Sequence, residues 1–204
     1  PSGPLRLGVF PTIAPYLLPK VLPTIRQRYP QLQVLLHEDL TPRLLELLAH
    51  GKLDVLLMAL EADLGVVSTL VLTPDPLVVA VPATHRLAKR KRITEAEIAG
   101  EQVLLLEDGH CLRDQALQVC QTSGASEVGD FRASSLNTLV QMAAGGMGIT
   151  LLPRLALDVE AGPLSQLVIR PFQKPEPSRT IGLVWRTTSP REQEFRLLAK
   201  LLVL

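Results

Sequence analysis

The sequence predicts an α/β fold built on a largely parallel sheet, and three observations lead to this prediction. The 204 residues are 47% hydrophobic, which is enough to bury a core in one domain or two small lobes. Short apolar runs of strand character alternate with helical patterns over residues 5–72. The run at residues 54–60 is almost entirely apolar, as is typical of a parallel strand buried on both faces.

Three strands are predicted in the first sixty residues, with two helices between them. The strands cover residues 5–10, 33–37 and 54–60, and the helices cover residues 14–29 and 41–48. Pro15 is tolerated near the start of the first helix, whereas Pro19 and Pro23 should bend or interrupt it. In the second helix Thr41 is expected to be the cap and Pro42 the first helical residue.

Two further strands are predicted in the middle of the chain, joined by a proline-rich segment that is called the joint. The strands cover residues 66–72 and 77–81, and the joint covers residues 73–76. The run from His85 to Arg92 is basic, and it is interpreted as a solvated loop in preference to a nucleic-acid patch. Thr94 starts a short helix, with Glu97 at the spacing of a capping box.

The second half of the chain continues the same alternation. Strands are predicted at residues 103–106, 128–133, 147–152, 166–170 and 179–185. Helices are expected to begin near Cys111, Ser135 and Pro153, and a terminal helix is expected over residues 190–203. Gly124 and Gly145 are the expected helix stops.

Charge and composition exclude several classes of function. A net charge of +1 leaves no electrostatic footprint for nucleic acid. No apolar run approaches the ~20 residues that a membrane span requires, so no membrane contact is expected. Two cysteines in 204 residues are not a secreted disulfide framework, and a reducing, cytoplasmic setting is expected. The sequence has no glycine-rich phosphate loop and no Ser-His-Asp arrangement, so an ordinary enzyme is not supported.

The spacing of the two cysteines is the most informative pattern. Cys111 follows an apolar run that ends in acidic residues and glycine, and Cys120 lies nine residues later in a helical pattern. Nine helical residues turn the chain through ~900° and rise ~13 Å, so the thiols would lie on opposite faces. A disulfide requires Cα atoms within about 7 Å. If this segment is helical when reduced, the two cysteines can bond only after it unfolds.

Cys111 is the candidate reactive residue because helix N-termini and nearby cations favour the thiolate. His110 precedes it and Arg113 follows, whereas Asp108 and Asp114 act in the opposite direction. The alternative is that Cys111 is a small buried apolar residue, the commoner role of such a cysteine.

A zinc site is disfavoured. Structural zinc needs four ligands, commonly paired at short spacing. The remaining histidines, His37, His50 and His85, show no such pairing with the cysteine segment, and no metal or cofactor is predicted.

Residues 106–116, LEDGHCLRDQA, resemble the sensing segment of the LysR-type transcription regulators that respond to hydrogen peroxide. Residues 131–133, 148–153 and 174–184 resemble later stretches of the same family, so the likeness covers nearly the whole chain. The glycine and proline motifs are shared by many LysR-type domains, whereas the His-Cys-Leu-Arg-Asp run is much more specific.

The resemblance implies a LysR-type effector domain of two Rossmann-like lobes, as in periplasmic solute-binding proteins. Residues 5–73 and 180–204 would form lobe I, and residues 74–179 would form lobe II, which carries the cysteines. It also implies a homodimer, which is a tetramer in the full-length protein. DNA would be bound only through a helix-turn-helix domain ahead of Pro1, which this chain lacks.

The resemblance also implies roles for single residues. Cys111 would react with peroxide, Cys120 would resolve it as a disulfide, and a thiol reductant would reset the sensor. The peroxide would be held by Thr12, Thr41 and His110. Arg113 and Arg179 would tune the thiol or steady the reduced arrangement.

Each role that the resemblance implies has a plainer alternative. Thr41 could only cap a helix, Thr12 could only form a turn, and His110 could be structural. Arg179 could serve only a surface ion pair. Asp130 stands where some relatives carry histidine, which puts any contribution of a second histidine in doubt.

Two other functions stay open. In one, a small carboxylate ligand fills the cleft between the lobes and the cysteines are inert, since many LysR-type relatives bind such effectors. In the other, weaker one, the protein is a thiol peroxidase.

Overall fold

The computed structural model describes residues 1–162 and 166–202, which contain nine strands and six α-helices. The strands are β1 (Gly3–Val9), β2 (Leu32–Glu38), β3 (Val55–Ala59), β4 (Ser68–Pro82), β5 (Gln102–Leu104), β6 (Ser126–Glu127), β7 (Ile149–Pro153), β8 (Leu167–Pro171) and β9 (Ser178–Trp185). The helices are α1 (Ala14–Arg28), α2 (Thr41–Ala49), α3 (Cys111–Ser123), α4 (Leu136–Ala144), α5 (Leu157–Glu160) and α6 (Glu192–Ala199). Short 3₁₀ helices lie at Arg86–Lys89, Glu95–Ile98 and Arg154–Ala156.

The chain divides into two compact units. Unit 1 comprises Pro1–Pro74 and Thr180–Leu204, and unit 2 comprises Asp75–Arg179. The chain passes from one unit to the other twice, once inside β4 and once inside β9.

The sheet of unit 1 is mixed. β1 pairs in parallel with β2 on one side and with β3 on the other, and β9 pairs antiparallel with β3. β3 is buried along its whole length, as its apolar sequence predicts. The core of unit 1 includes Trp185 and Phe195, whose ring centroids are 5.5 Å apart.

The C-terminal half of β4 is an inner strand of the sheet in unit 2. β7 and β8 pair antiparallel with β4, and β5 pairs in parallel with both β7 and β6. α3 therefore connects two parallel neighbours, β5 and β6, as the crossover helix of a right-handed unit would. Leu104, Val79, Leu152 and Phe172 are fully buried in this unit.

Most of the predicted elements are present, and the α/β fold class is confirmed. The capping box of Thr94 and Glu97 is present, and Ser135 accepts a hydrogen bond from the Thr138 amide at the start of α4. Gly124 ends α3 in the left-handed conformation, with φ of 79°.

The chain crosses between the units at this point, between Pro74 and Asp75, but the prediction that residues 73–76 separate two strands is wrong, because β4 runs through them without a break. Proline has a φ that an extended strand accommodates. Pro74 and Pro76 are two residues apart, so the amide donors they remove lie on the same edge of the strand.

Three further boundaries differ from the predictions. α1 is continuous through Pro19 and Pro23, because Leu17, Val21 and Ile25 pack into the core and outweigh the missing amide donors. The strand predicted at residues 128–133 is reduced to a single bridge between Leu106 and Ala133, since β6 ends at Glu127 and the Gly-Asp pair at 129–130 forms a turn. The terminal helix ends at Ala199, and the last residue predicted for it, 203, lies outside the described residues.

Candidate functional site

α3 carries both cysteines, as the sequence predicts. Cys111 is its first residue, and Cys120 lies in its last turn. Both cysteines are free and buried: 5% of the surface of Cys111 and 3% of the surface of Cys120 are exposed. Because the helix is continuous between them, the two residues are separated by ~13 Å along its axis.

The two ends of α3 are held by different contacts. His110 is the N-cap residue and has an extended backbone. At the other end the Gly124 amide donates to the Cys120 carbonyl at 2.9 Å, and the Ser123 hydroxyl donates to the same oxygen at 3.2 Å. The backbone of Cys120 is therefore fixed by the helix termination.

Arg113 joins the segments on either side of α3. Its Nε donates to Asp108 Oδ1 at 2.8 Å, and its Nη1 donates to the Leu106 carbonyl at 3.0 Å. Its two terminal nitrogens donate to the two carboxylate oxygens of Glu127, at 2.6 and 3.2 Å. The hydrogen bonding of the Arg113 guanidinium to the Glu127 carboxylate is the largest of the effects that raise the pKa of Arg113. The guanidinium thus stays charged and bridges residues that lie before and after the helix.

Glu127 also accepts an ion pair from Arg132, whose Nη1 is 2.7 Å from Oε1. One carboxylate on β6 therefore lies between two guanidinium groups. Neither Glu127 nor Arg132 was singled out from the sequence. Glu127 is 14 residues from Arg113, and a carboxylate at that separation carries no local pattern.

His110 is buried beside Cys111, with 2% of its surface exposed. Burial lowers the pKa of its imidazole from 6.5, while the charge of Glu107 raises it by a smaller amount. His110 is therefore neutral at pH 7, and a neutral imidazole can both donate and accept a hydrogen bond.

Cys120 is held as a thiol. Burial raises the pKa of its thiol above 9.0, and the negative charge of Glu127 raises it further, against a smaller lowering by a backbone hydrogen bond. Since the thiolate is the nucleophile, Cys120 is poorly reactive while α3 is intact.

Thr12 and Thr41 belong to unit 1. Thr12 is buried in the turn between β1 and α1. Thr41 is the first residue of α2, and Leu40 occupies the N-cap position, so the prediction that Thr41 caps this helix is wrong. Its hydroxyl oxygen is buried and, among the described residues, has no hydrogen-bond partner.

Arg179 forms a buried ion pair rather than a surface one. It is completely buried, and its Nε and Nη2 both lie 2.9 Å from Asp75 Oδ2. Asp75 Oδ1 accepts from the Leu155 amide at 2.9 Å. The plain alternative of a surface ion pair is therefore wrong, and Asp75 is a partner that the sequence analysis missed.

Part of the basic run at residues 85–92 is paired within unit 2. Arg86 and His85 contact the carboxylate of Glu101, and Arg90 pairs with Glu97. Residues 89–92 are exposed, as expected of a solvated segment, but residues 86–89 form a short 3₁₀ helix and not a loop. Asp130 is exposed in a turn after β6.

Within residues 1–162 and 166–202, no three histidine, cysteine or acidic side chains lie close enough together to hold a metal ion. None of the helices in these residues is both long and apolar enough to cross a membrane.

The family of the chain follows from its sequence. The family described as the LysR substrate binding domain matches residues 1–203. The chain belongs to the LysR substrate-binding domain family. This LysR domain is 46% identical over 199 residues to the hydrogen peroxide-inducible genes activator of Escherichia coli O6:H1. The alignment covers 98% of the LysR domain but 65% of that relative, so the chain spans about two thirds of its length.

Two crystal structures named OxyR resemble this LysR domain along its length. The oxidised form is 45% identical, with a TM-score of 0.88 and coverage of 98% of this chain and 94% of that one. The reduced form is 43% identical, with a TM-score of 0.89 and the same coverage. These matches confirm the resemblance to the peroxide-responsive LysR-type regulators and the fold that it implies. The Escherichia coli relative is named as an activator of genes, which is the class of protein that the resemblance predicts.

Proposed function

We propose that this LysR domain is the regulatory domain of a transcription regulator that senses hydrogen peroxide through Cys111 and Cys120. The observation that carries the proposal is the placement of both thiols, buried and nine residues apart, on the single helix α3. The relatives support it, since they are named for hydrogen peroxide induction and for oxidised and reduced forms.

The first step is oxidation of Cys111. Its thiolate attacks one oxygen of hydrogen peroxide, the O–O bond breaks, and the leaving hydroxide takes a proton to become water. The sulfur becomes a sulfenic acid, and the peroxide is reduced. The position of Cys111 at the start of α3 supports this assignment, because the helix dipole favours negative charge there.

The second step is resolution by Cys120. Its sulfur attacks the sulfenic sulfur, an S–S bond forms, the S–O bond breaks, and a second water leaves with the thiol proton. The ~13 Å that the helix places between the residues forbids this attack until α3 unwinds. Oxidation is therefore coupled to an order-to-disorder change of one segment, which is how a local redox event can alter a regulator.

The peroxide is proposed to be held by Thr12, Thr41 and His110. A small oxidant needs groups that both donate and accept hydrogen bonds, as hydroxyls and a neutral imidazole do. The buried hydroxyl of Thr41 supports a binding role, because a buried polar group normally has a partner. Arg113 and Arg179 are proposed to steady the reduced arrangement, since Arg113 contacts Glu127 and the Leu106 carbonyl and Arg179 contacts Asp75.

The proposal extends to the partners of the full-length protein. A homodimer would bind DNA through a helix-turn-helix domain outside this chain, assemble as a tetramer, and be reset in the cytoplasm by a thiol reductant. Exposed Leu36 on β2, which is the edge strand of its sheet, offers an apolar side chain for a second copy. Sedimentation of the Leu36→Lys variant tests this: the dimer should weaken while the fold is kept.

Peptide mapping by mass spectrometry after a brief, low dose of peroxide tests the sensing function. Cys120→Ser should accumulate a sulfenic acid at Cys111, and the parent protein should form the intramolecular disulfide. An intramolecular oxidation product in Cys111→Ser would contradict the assignment of the first nucleophile. Continued consumption of peroxide with a reductant, at the rate of an enzyme, would favour a thiol peroxidase instead.

A second candidate function is the binding of a small carboxylate effector. The family description, a substrate binding domain, favours it. Calorimetric titration with candidate acids separates the two functions, because an effector domain would bind an acid and keep inert cysteines.

A further inference from the structure

We propose that Glu127 is a positioning residue for the redox step: its two-point contact with Arg113 fastens the first turn of α3 to β6 and so restrains disulfide formation. The proposal rests on the proposed peroxide-sensing function. It adds a residue that neither the sequence pattern nor that function assigns.

The contact between Glu127 and Arg113 has the geometry of a strong ion pair. Two nitrogens of one guanidinium meet two oxygens of one carboxylate, at 2.6 and 3.2 Å. The side chains are 19% and 8% exposed, so water screens the pair weakly. Bidentate pairs of this kind are directional, and they are lost when either backbone rotates away.

Glu127 is anchored independently of α3. It lies on β6, where it is the register partner of Val103 on β5, and the Val128 amide donates to the Val103 carbonyl at 3.0 Å. Arg113, in contrast, is the third residue of α3. The ion pair therefore ties a helix that must rearrange to a strand that the sheet holds in place.

Disulfide formation conflicts with this contact. The residues from 111 to 120 must leave helical geometry before the two sulfurs can meet, and Arg113 is one of them. The ion pair stabilises the reduced arrangement specifically, because it is made by a helical Arg113. Its loss should make the disulfide form faster and also make it more favourable at equilibrium.

The same carboxylate faces the resolving cysteine. The charge of Glu127 adds to burial in raising the pKa of the Cys120 thiol. Glu127 thus restrains the second step in two ways, by holding the helix start and by disfavouring the attacking thiolate. The first step, at Cys111, needs neither effect.

The test is the variant Glu127→Gln, which keeps the size of the side chain and removes its charge. We expect the rate of disulfide formation after peroxide to rise about tenfold, and the thiol–disulfide equilibrium against dithiothreitol to shift about tenfold toward the disulfide. The rate of sulfenic acid formation at Cys111, measured by trapping in a Cys120→Ser background, should stay within about twofold.

Two control variants separate this role from general destabilisation. Arg132→Gln removes the other guanidinium partner of Glu127 and leaves α3 untouched. Asp54→Asn removes a buried carboxylate from ion pairs with Arg6 and Arg191 in unit 1, and should lower stability without favouring the disulfide. If Glu127→Gln does not fold, Arg113→Lys keeps the charge, loses the two-point contact, and should shift the equilibrium in the same direction.

The proposal is overturned if Glu127→Gln leaves both the resolution rate and the dithiothreitol equilibrium within about twofold of the parent. It is also overturned if either control shifts them equally. The dithiothreitol equilibrium needs no peroxide, so it still tests Glu127 if Cys111 proves unreactive. Loss of peroxide reactivity in the parent would instead contradict the proposed function.

Discussion

Arg179 and Asp75 form an ion pair that solvent scarcely reaches: their side chains are 0% and 4% exposed, and two guanidinium nitrogens lie 2.9 Å from one carboxylate oxygen. They are the last and first residues of unit 2, and they lie where the chain leaves and enters that unit. The other carboxylate oxygen accepts from the Leu155 amide. The pair thus joins both crossing strands to the segment that follows β7.

Removing the charge of Asp75 should therefore be costly. Asp75→Asn removes the carboxylate charge that the buried Arg179 guanidinium contacts at 2.9 Å, and we expect the free energy of unfolding to fall by about 3–5 kcal/mol. Urea denaturation measures it. The matched control is Glu192→Gln, which breaks an exposed pair with Arg196 on α6 and should cost less than about 1 kcal/mol. Equal losses in the two variants would contradict this account of the buried pair.

His110 should make the reduced protein less stable in acid. Its pKa in the folded state lies below 6.5, so the unfolded chain binds the proton more readily as the pH falls. Stability should be unaffected above about pH 7, fall as the pH drops through 6.5, and level off once the folded state is also protonated. Urea denaturation from pH 8 to 5 measures the effect, and His110→Asn should flatten it.

The matched control is His50→Asn, which removes an exposed imidazole at the end of α2. The acid sensitivity of the parent and of the two variants is compared over the same pH range. A His110→Asn variant that loses as much stability in acid as the parent would contradict the role given to His110.

Cys120 should resist alkylation until α3 unfolds. In the Cys111→Ser variant, the rate of reaction with iodoacetamide should rise with a midpoint above pH 9.0, because burial and the charge of Glu127 disfavour the thiolate. In urea the midpoint should fall to about 8.5. Adding Glu127→Gln should lower the midpoint of the folded protein. A folded midpoint at or below the value in urea would contradict the environment described for Cys120.

The same shift predicts a loss of stability in alkali. The folded-state pKa of Cys120 is raised, so its contribution to stability is complete below the pKa of about 8.5 of the unfolded thiol and is lost as the pH rises toward the higher folded-state pKa. Denaturation of Cys120→Ser and the parent, compared between pH 8 and 10, measures it. The parent should lose stability relative to the variant, and parallel curves would contradict the prediction.

The sequence predicts the helical cysteine segment well because the signal is local. An apolar strand, an acidic turn, a helical pattern and Gly124 follow one another directly, and each is visible in adjacent residues. The two halves of β4 were predicted as separate strands because prolines such as those at 74 and 76 commonly interrupt a strand. Only the pairing of β4 with strands far along the chain overrides this tendency.

The contacts of the site were predicted less well because they are not local. Arg113 is visible beside Cys111, but its partner Glu127 is fixed by the pairing of β6 with β5. A surface ion pair was the plain alternative for Arg179, and its buried pairing with Asp75, which lies 104 residues away, leaves no local signal in the sequence. The observed N-cap of α2, Leu40, lies one residue before the expected cap, Thr41. Helix propensities do not resolve a difference of one residue.

The central claim is that α3 separates the two thiols and must unwind for them to bond. Hydrogen–deuterium exchange of the α3 amides, measured in the reduced protein and after peroxide has formed the disulfide, tests it most directly. The account predicts protected amides across residues 115–123 in the reduced protein and their loss of protection once mass spectrometry shows the bond between Cys111 and Cys120. A disulfide that forms while those amides keep their protection would contradict it.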